Sequence, residues 1–418
     1  MSNIIINGGK KLSGEISIQG AKNSVLPVLA ATVLCDGDCV VHNCPDLSDV
    51  DVSLKILTTL GINCLKEDNT VIVDARDVSS YKIPEELMRE MRSSVVFLGA
   101  IIGRTGKAVI SSPGGCELGP RPIDMHISSL ERLGVRIKEE HGYLHCDTPN
   151  GLIGAEIALS FPSVGATENI ILAATLAKGT TVIHNAAKEP EISNLADFLN
   201  SAGARICGAG SDTVYIKGVK ALHSTEQSII PDRIVAATYM AAAAVTGGEI
   251  SLKGVMPSHM MSMLSVFRES GCDIDVSNKT LKFKAPKKLL RVPTVRSLAY
   301  PGFPTDSGPI IISMLSLSNG ISVFIENIFE NRFRYVDELN RLGTKIKTEG
   351  KIAVIDGVDA LSGAYCKCTD LRGGAALVIA GLAAKGTTVI DEIQHINRGY
   401  DNIVEKLKSI NADIYIKE

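Results

Sequence analysis

A cysteine in a glycine- and proline-rich segment is the first residue of this chain whose type and setting suggest chemistry. Cys116 lies within residues 112–124, which contain three glycines and three prolines. This composition is incompatible with a regular helix or a central strand and predicts a loop. Gly115 and Glu117 flank the thiol and Arg121 follows, so we expect an exposed, electropositive setting of the kind that makes a thiol reactive. The alternative is an inert cysteine that only packs.

Polar residues, most of them charged, recur at similar distances from a glycine that repeats along the chain. The first set lies 12 to 15 residues before that glycine and consists of Lys22, Arg92, Thr167, Arg233, Asp306 and Arg372. The second set lies 12 residues after it and consists of Asp49, Glu191, His259, Arg332 and Arg398, with Arg121 near this position in the second copy once inserted residues are removed. Both sets are predicted at helix starts, where free N–H groups and arginines bind anions.

So many cations around so few acids predict a small substrate with several negative charges, such as a phosphate and a carboxylate. The alternative is that each arginine is a solvated or ion-paired surface residue. Asp306 lies among these cations and is a candidate general base, able to take a proton from a hydroxyl group. It could instead cap its helix, since Asp is a good N-cap residue.

The repeated glycine also defines the elements that must position these residues. It opens a β-branched run at Gly37, Gly106, Gly179, Gly247, Gly320 and Gly386. A helix-period segment follows each run and ends at a Gly or Asn that is typical of a C-cap. These caps are Gly61, Gly134, Gly203, Gly271, Gly343 and Asn411, and the glycine-to-cap distance is 24, 28, 24, 24, 23 and 25 residues. Copy two alone is four residues longer, and the excess falls in the Cys116 loop.

The six copies predict an α/β fold built from units of strand, helix, strand, helix, strand and strand. The sixth copy stops early, and residues 4–13 resemble its missing part, so the N-terminus is expected to complete it. This predicts one domain of residues 21–229, which carries the Cys116 loop, and another of residues 1–20 plus 230–418, with the active site in the cleft between them. A continuous solenoid of six equal repeats is the alternative.

Composition narrows the classes of partner. The 418 residues carry a net charge of -3, contain no Trp and have no polybasic block, so nucleic acid is not expected as a partner. The ten cysteines lack disulfide or zinc spacing and are expected to be reduced, with no metal and no organic cofactor. No leader and no membrane-spanning run is evident, so a soluble cytoplasmic protein is expected, without an indicated oligomeric state.

Motifs along the whole chain resemble those of the enolpyruvyl transferase family, in particular its members that act on UDP-N-acetylglucosamine. The matching segments are residues 20–23 (GAKN), 113–116 (PGGC), 119–124 (GPRPID), 163–167 (SVGAT), 303–306 (FPTD), 330–333 (ENRF), 369–372 (TDLR) and 395–400 (HINRGY). The resemblance implies a two-domain inside-out α/β barrel of six βαβαββ repeats, three per domain, with helices inside. It also implies the substrates phosphoenolpyruvate and UDP-N-acetylglucosamine, and a role in peptidoglycan synthesis.

The resemblance further assigns individual residues. Lys22, Arg121 and Arg398 would bind the phosphate of phosphoenolpyruvate, and Arg332 and Arg372 its carboxylate. The residues expected to contact the UDP-sugar are Arg92, Arg121, Pro122, Ile123, Asp124, Met125, Asp306 and Ile328. Asn23 would hold the substrates between the domains. Cys116 would act as the general acid, Asp306 as the base, and Lys22 and Arg398 would assist catalysis.

Two other functions fit parts of the pattern. A sister transferase that acts on shikimate 3-phosphate would share the fold and the cations, and a non-catalytic nucleotide-sugar sensor would share the binding residues. The chain also departs from the family pattern, because Phe161 and Pro162 stand where some members have a lysine. This departure casts doubt on a charged contact to the UDP diphosphate at that position.

Overall fold

The computed structural model describes residues 2–111 and 123–417. Within these residues the chain forms two compact units, which we name after one residue of each. The Lys22 unit contains residues 20–111 and 123–230, and the Asp306 unit contains residues 2–19 and 231–417. Each unit has its own hydrophobic core.

The chain begins in the Asp306 unit with β1 (Asn3–Asn7) and β2 (Ser13–Ser17). The helices of the Lys22 unit are α1 (Lys22–Thr32), α2 (Ser48–Thr59), α3 (Glu85–Glu90), α4 (Phe97–Thr105), α5 (Asp124–Arg132), α6 (Val164–Ala174) and α7 (Pro190–Ser201). Its strands are β3 (Cys35–His42), β4 (Asn63–Glu67), β5 (Thr70–Asp74), β6 (Lys107–Ser111), β7 (Arg136–Glu140), β8 (Tyr143–Asp147), β9 (Glu156–Ala158), β10 (Thr180–His184), β11 (Ile206–Cys207), β12 (Thr213–Lys217) and β13 (Leu222–Ser228).

The Asp306 unit then continues to the C-terminus. Its helices are α8 (Arg233–Val245), α9 (Met261–Glu269), α10 (Gly308–Leu315), α11 (Val336–Arg341), α12 (Leu371–Ala383) and α13 (Ile403–Ser409). Its further strands are β14 (Glu249–Lys253), β15 (Asp273–Ser277), β16 (Thr280–Lys284), β17 (Leu289–Leu290), β18 (Thr294–Arg296), β19 (Ser318–Asn319), β20 (Ile321–Ile325), β21 (Lys345–Glu349), β22 (Ile352–Asp356), β23 (Tyr365–Lys367), β24 (Thr387–Asp391) and β25 (Ile414–Lys417). Short 3-10 helices span Arg92–Val96, Pro257–His259, Thr305–Ser307 and Ile393–Arg398.

Backbone angles confirm the predicted phase of the repeat. The six opening glycines have φ between +64° and +135°, and the six capping positions, including Asn411, have φ between +78° and +103°. Residues with a Cβ rarely adopt this left-handed region, which explains why glycine recurs there. The repeat is therefore readable because the chain makes the same two left-handed turns in every copy.

Among the described residues the strands pair in six sheets, one for each repeat, beside the two-stranded sheet of β17 and β19. Three lie in the Lys22 unit, with the orders β13-β3-β5-β4, β6-β8-β7 and β11-β12-β10-β9. Three lie in the Asp306 unit, with the orders β15-β16-β14-β2, β18-β20-β22-β21 and β23-β24-β1-β25. In the last sheet β1 pairs antiparallel with both β24 and β25, which confirms that the N-terminus completes the sixth copy.

Strand pairing differs from the simple repeat in copies one and four. The strand that precedes α1 in the chain, β2, pairs in parallel with β14 of copy four, whereas β13, which precedes α8, pairs in parallel with β3 of copy one. The last strand of copy three thus joins the sheet of copy one. Repeats of a continuous solenoid contact only their neighbours, so the solenoid alternative is wrong.

The first helix of each repeat is buried. In the Asp306 unit α8, α10 and α12 pack against one another, and all of α10, all but one residue of α8 and all but two residues of α12 are buried. Their sequences are apolar on every side, as expected of a helix with no solvent face. The strands instead alternate, as in β22, where Ala353 and Ile355 are buried between exposed neighbours. Helices therefore fill the inside of the unit, and the sheets have one exposed face.

Candidate active site

Asp306, Arg332 and Arg372 meet in the Asp306 unit. Asp306 lies in the 3-10 helix Thr305–Ser307 that leads into α10, Arg372 is the second residue of α12, and Arg332 lies in the turns before α11. One carboxylate oxygen of Asp306 accepts a hydrogen bond from Arg332 Nη2 at 3.2 Å, and the other accepts one from Arg372 Nη2 at 3.3 Å. The two arginines are only 3% and 2% exposed. A carboxylate is thus held between two buried guanidinium groups.

Arg372 is anchored through its own backbone. Asp370 is the N-cap of α12, and its side chain accepts hydrogen bonds from the N–H groups of Arg372 and Gly373, each at 3.0 Å. The guanidinium lies over the Tyr400 ring, 5.4 Å from its centroid. Burial by itself would lower the pKa of Arg372, but Tyr400, Asp306 and Asp232 raise it above its ordinary value. The group therefore stays charged.

Three hydrogen-bond donors of these arginines are unused. Nε and Nη1 of Arg372 and Nε of Arg332 are buried and have no partner within residues 2–111 and 123–417. An unpaired buried donor costs roughly 1–3 kcal/mol, and more when it is charged. Three such donors on two cations indicate a site for an anion with several acceptor oxygens.

The Lys22 unit carries a second buried charge pair. Lys22 begins α1, and its Nζ lies 2.8 Å from Oδ2 of Asp49 in the first turn of α2. The helix dipole disfavours a cation at this end, and the Asp49 carboxylate offsets that effect. Both residues are buried, whereas the adjacent Asn23 is exposed.

The other predicted residues occupy loops and first turns. Arg92 begins the 3-10 helix Arg92–Val96 and is half-buried. Ile123 is the N-cap of α5, and Asp124 and Met125 form its first turn. Ile328 follows β20 in the chain. Three further predicted residues, Cys116, Arg121 and Pro122, lie outside the described residues.

Two details of the sequence prediction were wrong. Arg332 and Arg398 do not begin their helices, because α11 starts only at Val336 and α13 only at Ile403. Arg398 instead ends a 3-10 helix, after which Asn402 adopts a left-handed conformation. Asp306 does not occupy an N-cap position either, since Pro304 and Ser307 are the N-caps of the two successive helices.

Sequence reasoning missed several residues that support the site. Gln19 is buried, donates to the carbonyl of Gly399 at 3.2 Å and accepts from the N–H of Asp401 at 2.9 Å, so it braces the segment after Arg398. Tyr400 in turn bonds the hydroxyl of Thr238 at 2.9 Å. No local signal marks such partners, because they lie far apart in the chain.

A buried histidine supports the start of α5. Asn169 Nδ2 donates to His126 Nδ1 at 2.9 Å, and Asn169 Oδ1 accepts from the Gly99 N–H at 2.6 Å. Because Nδ1 accepts, the ring hydrogen is on Nε2. Burial lowers the pKa of His126 to about 4, although Asp124 acts in the opposite direction. This ring is therefore a neutral packing group one position after Met125.

The described part of the chain adds three general findings. It contains no cluster of three or more His, Cys, Asp or Glu side chains suited to a metal. None of its helices has the length and apolar character needed to cross a membrane. Phe161, which stands where some members of the family have a lysine, is 42% exposed and offers no charge to a diphosphate.

Comparisons with known proteins show the family of the chain. The family model for EPSP synthase (3-phosphoshikimate 1-carboxyvinyltransferase) matches residues 6–407. UDP-N-acetylglucosamine 1-carboxyvinyltransferase 2 of Caldanaerobacter subterraneus subsp. tengcongensis is 53% identical over 414 residues, 99% of each chain. UDP-N-acetylglucosamine 1-carboxyvinyltransferase 1 of Symbiobacterium thermophilum is 47% identical over 415 residues, 98% of this chain and 94% of that one.

A solved structure shares the fold. The enolpyruvyl transferase NikO from Streptomyces tendae superposes with a TM-score of 0.89 at 24% identity, covering 100% of this chain and 99% of that one. The fold is therefore the α/β architecture predicted from the motifs, with six βαβαββ repeats. The chain belongs to the enolpyruvyl transferase family and, within it, to the UDP-N-acetylglucosamine 1-carboxyvinyltransferases.

Proposed function

We propose that this protein transfers the enolpyruvyl group of phosphoenolpyruvate to the 3'-hydroxyl of UDP-N-acetylglucosamine and releases phosphate. This reaction would commit the sugar nucleotide to peptidoglycan synthesis. The observation that carries the proposal is the pair Arg332 and Arg372, whose buried and unused N–H donors suit a carboxylate, together with Asp306 between them. The names of the relatives support the choice of acceptor.

Phosphoenolpyruvate has two anionic groups, and the chain offers a separate set of cations for each. In our proposal Arg332 and Arg372 bind the carboxylate, since planar guanidinium groups match its geometry. Lys22, Arg121 and Arg398 bind the phosphate. Asn23, beside Lys22, would be a neutral contact for the substrate.

UDP-N-acetylglucosamine is proposed to contact the start of α5 and the loops of the Asp306 unit. Residues 121–125 and Arg92 would hold the nucleotide, and Ile328 would pack against it. Asp306 would accept a hydrogen bond from the 3'-hydroxyl of the sugar. Because Phe161 carries no charge, groups at other positions would have to bind the diphosphate.

The proposed chemistry is an addition followed by an elimination. The 3'-oxygen forms a bond to C2 of phosphoenolpyruvate while Asp306 takes the hydroxyl proton and Cys116 donates a proton to C3. The product is a tetrahedral ketal that still carries the phosphate. The bond from C2 to the phosphate oxygen then breaks, C3 loses a proton, and the vinyl ether and inorganic phosphate are formed. Lys22 and Arg398 would stabilise the charge of the departing phosphate.

Cys116 has a second expected property, which is reaction with electrophiles. Arginines near a thiol lower its pKa, so Cys116 is expected to react as the thiolate in the free enzyme and to regain its proton when the negatively charged phosphoenolpyruvate binds. Fosfomycin, an epoxide, is expected to alkylate this thiol, and phosphoenolpyruvate to form an adduct with it. By contrast, burial raises the pKa of the Cys44 thiol to about 12 and that of Cys366 to about 11. The proposal keeps a cytoplasmic location, where thiols stay reduced.

Phosphate release from phosphoenolpyruvate tests the proposal. It would be measured with UDP-N-acetylglucosamine, with shikimate 3-phosphate and with no acceptor. We expect release only with the UDP-sugar, and its loss after fosfomycin treatment or in Cys116→Ser. Cys207→Ser is the matched control, because Cys207 is an exposed cysteine of the Lys22 unit. It should keep full activity and full sensitivity to fosfomycin.

The other outcomes decide between the alternatives. Release with shikimate 3-phosphate but not with the UDP-sugar would assign the chain to the sister reaction. Binding of UDP-N-acetylglucosamine without any release would favour a nucleotide-sugar sensor. Equal loss of activity in Cys116→Ser and Cys207→Ser would remove the assigned role of Cys116.

A further inference from the structure

Glu326 is a buried carboxylate directly after β20 that no part of the proposed reaction uses. Its residue is 0% exposed. Oε1 accepts hydrogen bonds from the Ser297 hydroxyl at 2.8 Å and from the N–H groups of Ile328 and Phe329 at 2.7 and 3.1 Å. Oε2 accepts one from the Thr305 hydroxyl at 2.8 Å. The carboxylate therefore ties three separate segments of the chain together.

These donors account for the burial of the carboxylate. Within the described residues no lysine or arginine forms an ion pair with Glu326, and the four donors are all neutral groups. The Ser297 hydroxyl accepts from the Asn327 N–H at 2.8 Å, so its own hydrogen is directed to Glu326. A buried carboxylate without such donors would cost several kcal/mol. Because the buried carboxylate is stable only with these donors in place, it fixes the positions of the groups that donate to it.

Each carboxylate oxygen of Glu326 binds a residue that also contacts Arg332. On one side, Thr305 is bound through its hydroxyl, and its carbonyl accepts from Arg332 Nη2 at 3.2 Å. The same Nη2 bonds Asp306, the next residue in the chain. On the other side, the bound N–H of Phe329 fixes the segment whose ring lies under the Arg332 guanidinium, 5.6 Å from its centroid. Three contacts of Arg332 thus depend on one carboxylate.

We propose that Glu326 is a positioning residue for the reaction. Through its hydrogen bond to the Thr305 hydroxyl it holds Arg332 and Asp306 in their relative positions. The proposal rests on the proposed function of these two residues and extends it to a group that touches neither substrate. A purely structural Glu326 would contribute to stability alone. The difference between the two roles can be measured at Thr305, where the link to Asp306 can be cut while the carboxylate and its other three bonds are kept.

The experiment compares three variants by kcat/KM for phosphoenolpyruvate, well below their melting temperatures. Thr305→Val has nearly the same shape but no hydroxyl, and we expect a loss of about tenfold or more, as a small misplacement of reacting groups produces. Thr305→Ser restores the hydroxyl and is expected to recover most of this loss. Ser322→Ala is the control, because the Ser322 hydroxyl is buried in β20 with no hydrogen-bond partner among the described residues. It should change kcat/KM by less than about twofold.

Two results would overturn the proposal. One is a Thr305→Val enzyme as active as Ser322→Ala, and the other is an equal loss in Thr305→Val and Thr305→Ser. If the wild-type protein releases no phosphate at all, the proposed function fails instead. The positioning of Arg332 would then be tested by calorimetric binding of phosphoenolpyruvate, where weaker binding in Thr305→Val, restored in Thr305→Ser, supports it and equal binding in all variants refutes it.

Discussion

Arg372 Nη2 lies 3.3 Å from Asp306 Oδ2. This contact joins the residue proposed as the base to a residue proposed to bind the carboxylate of phosphoenolpyruvate. Arg332 makes the equivalent contact to the other oxygen of Asp306 at 3.2 Å. Asp306 uses Nη2 of each arginine, whereas Nε of both and Nη1 of Arg372 remain for the substrate carboxylate. Two carboxylates beside the same pair of cations repel each other, so substrate binding is expected to weaken the hold of the arginines on the base.

Neutralising Asp306 should separate these two effects. In Asp306→Asn the base is lost, and we expect turnover to fall by roughly 10²–10⁴-fold. The anion that competes for Arg332 and Arg372 is lost as well, so phosphoenolpyruvate should bind more tightly, by about tenfold or about 1.4 kcal/mol. Calorimetric binding and phosphate release would measure both. Asp337→Asn, at an exposed position of α11, is the control, and unchanged or weaker binding in Asp306→Asn would contradict the competition.

The buried pair of Lys22 and Asp49 predicts a stability effect that is independent of turnover. Removal of one partner takes a close opposite charge away from a buried ion, so Lys22→Met and Asp49→Asn should each lower the free energy of unfolding, by up to about 3–5 kcal/mol. The double variant should lose less than the sum of the two, with a coupling of about 2 kcal/mol. Urea unfolding of the four proteins measures this cycle.

An exposed ion pair provides the control for that cycle. Lys288 and Asp359 are 2.9 Å apart, but their side chains are 46% and 101% exposed. Solvent screens such a pair, and its coupling should be below about 1 kcal/mol. Equal coupling energies in the two pairs would show that burial does not strengthen the contact between Lys22 and Asp49.

The sequence predicted the features that depend on local backbone geometry. The glycines and Asn411 recur because each repeat needs two residues with positive φ, and that requirement is visible in the residue type. Residues 4–13 could be assigned to the sixth copy because copies of one unit share their strand pattern. The spacing of the repeat also marked the cations and Asp306 as candidates, and the family motifs then assigned a role to each.

The remaining features depend on contacts between distant residues. The Tyr400 hydroxyl meets Thr238, 162 positions earlier, and His126 meets Asn169, 43 positions later. Glu326 reads in the sequence as one more acid after a strand, and only its four donors reveal its importance. Arg398 was misplaced because the left-handed Asn402 delays the start of α13, which the average spacing of the repeats could not indicate.

His126 should make stability depend on pH on the acid side. Its pKa is about 4 in the folded protein and 6.5 for the ordinary group, so between these values the unfolded chain binds more protons. Stability therefore falls as the pH drops below about 6.5. From pH 7 to pH 5 the loss should be about 2 kcal/mol, because each unit of pKa difference corresponds to about 1.4 kcal/mol.

The variant His126→Asn tests this assignment, since its amide can still pair with Asn169 but does not titrate. Its unfolding free energy should depend less on pH than that of the wild type, even if the smaller side chain lowers stability at every pH. His223→Asn, at an exposed position, should keep the wild-type dependence. The same acid-side loss in all three proteins would exclude His126 as its source.

Glu168 should have the opposite effect, on the alkaline side. It lies in α6 with 6% exposure, and burial, with Glu191 and Glu189 nearby, raises its pKa well above the ordinary value of 4.5. Folding therefore favours the protonated acid, whereas the unfolded chain loses its proton above 4.5, so stability is lost as the pH rises above that value. Glu168→Gln has the shape of the protonated acid and does not ionise. We expect it to match the wild type near pH 4 and to be more stable at pH 8, as measured by urea unfolding, whereas Glu131→Gln at an exposed position of α5 should show no such change. A stability difference between Glu168→Gln and the wild type that is the same at both pH values would mean that folding does not raise the pKa of Glu168.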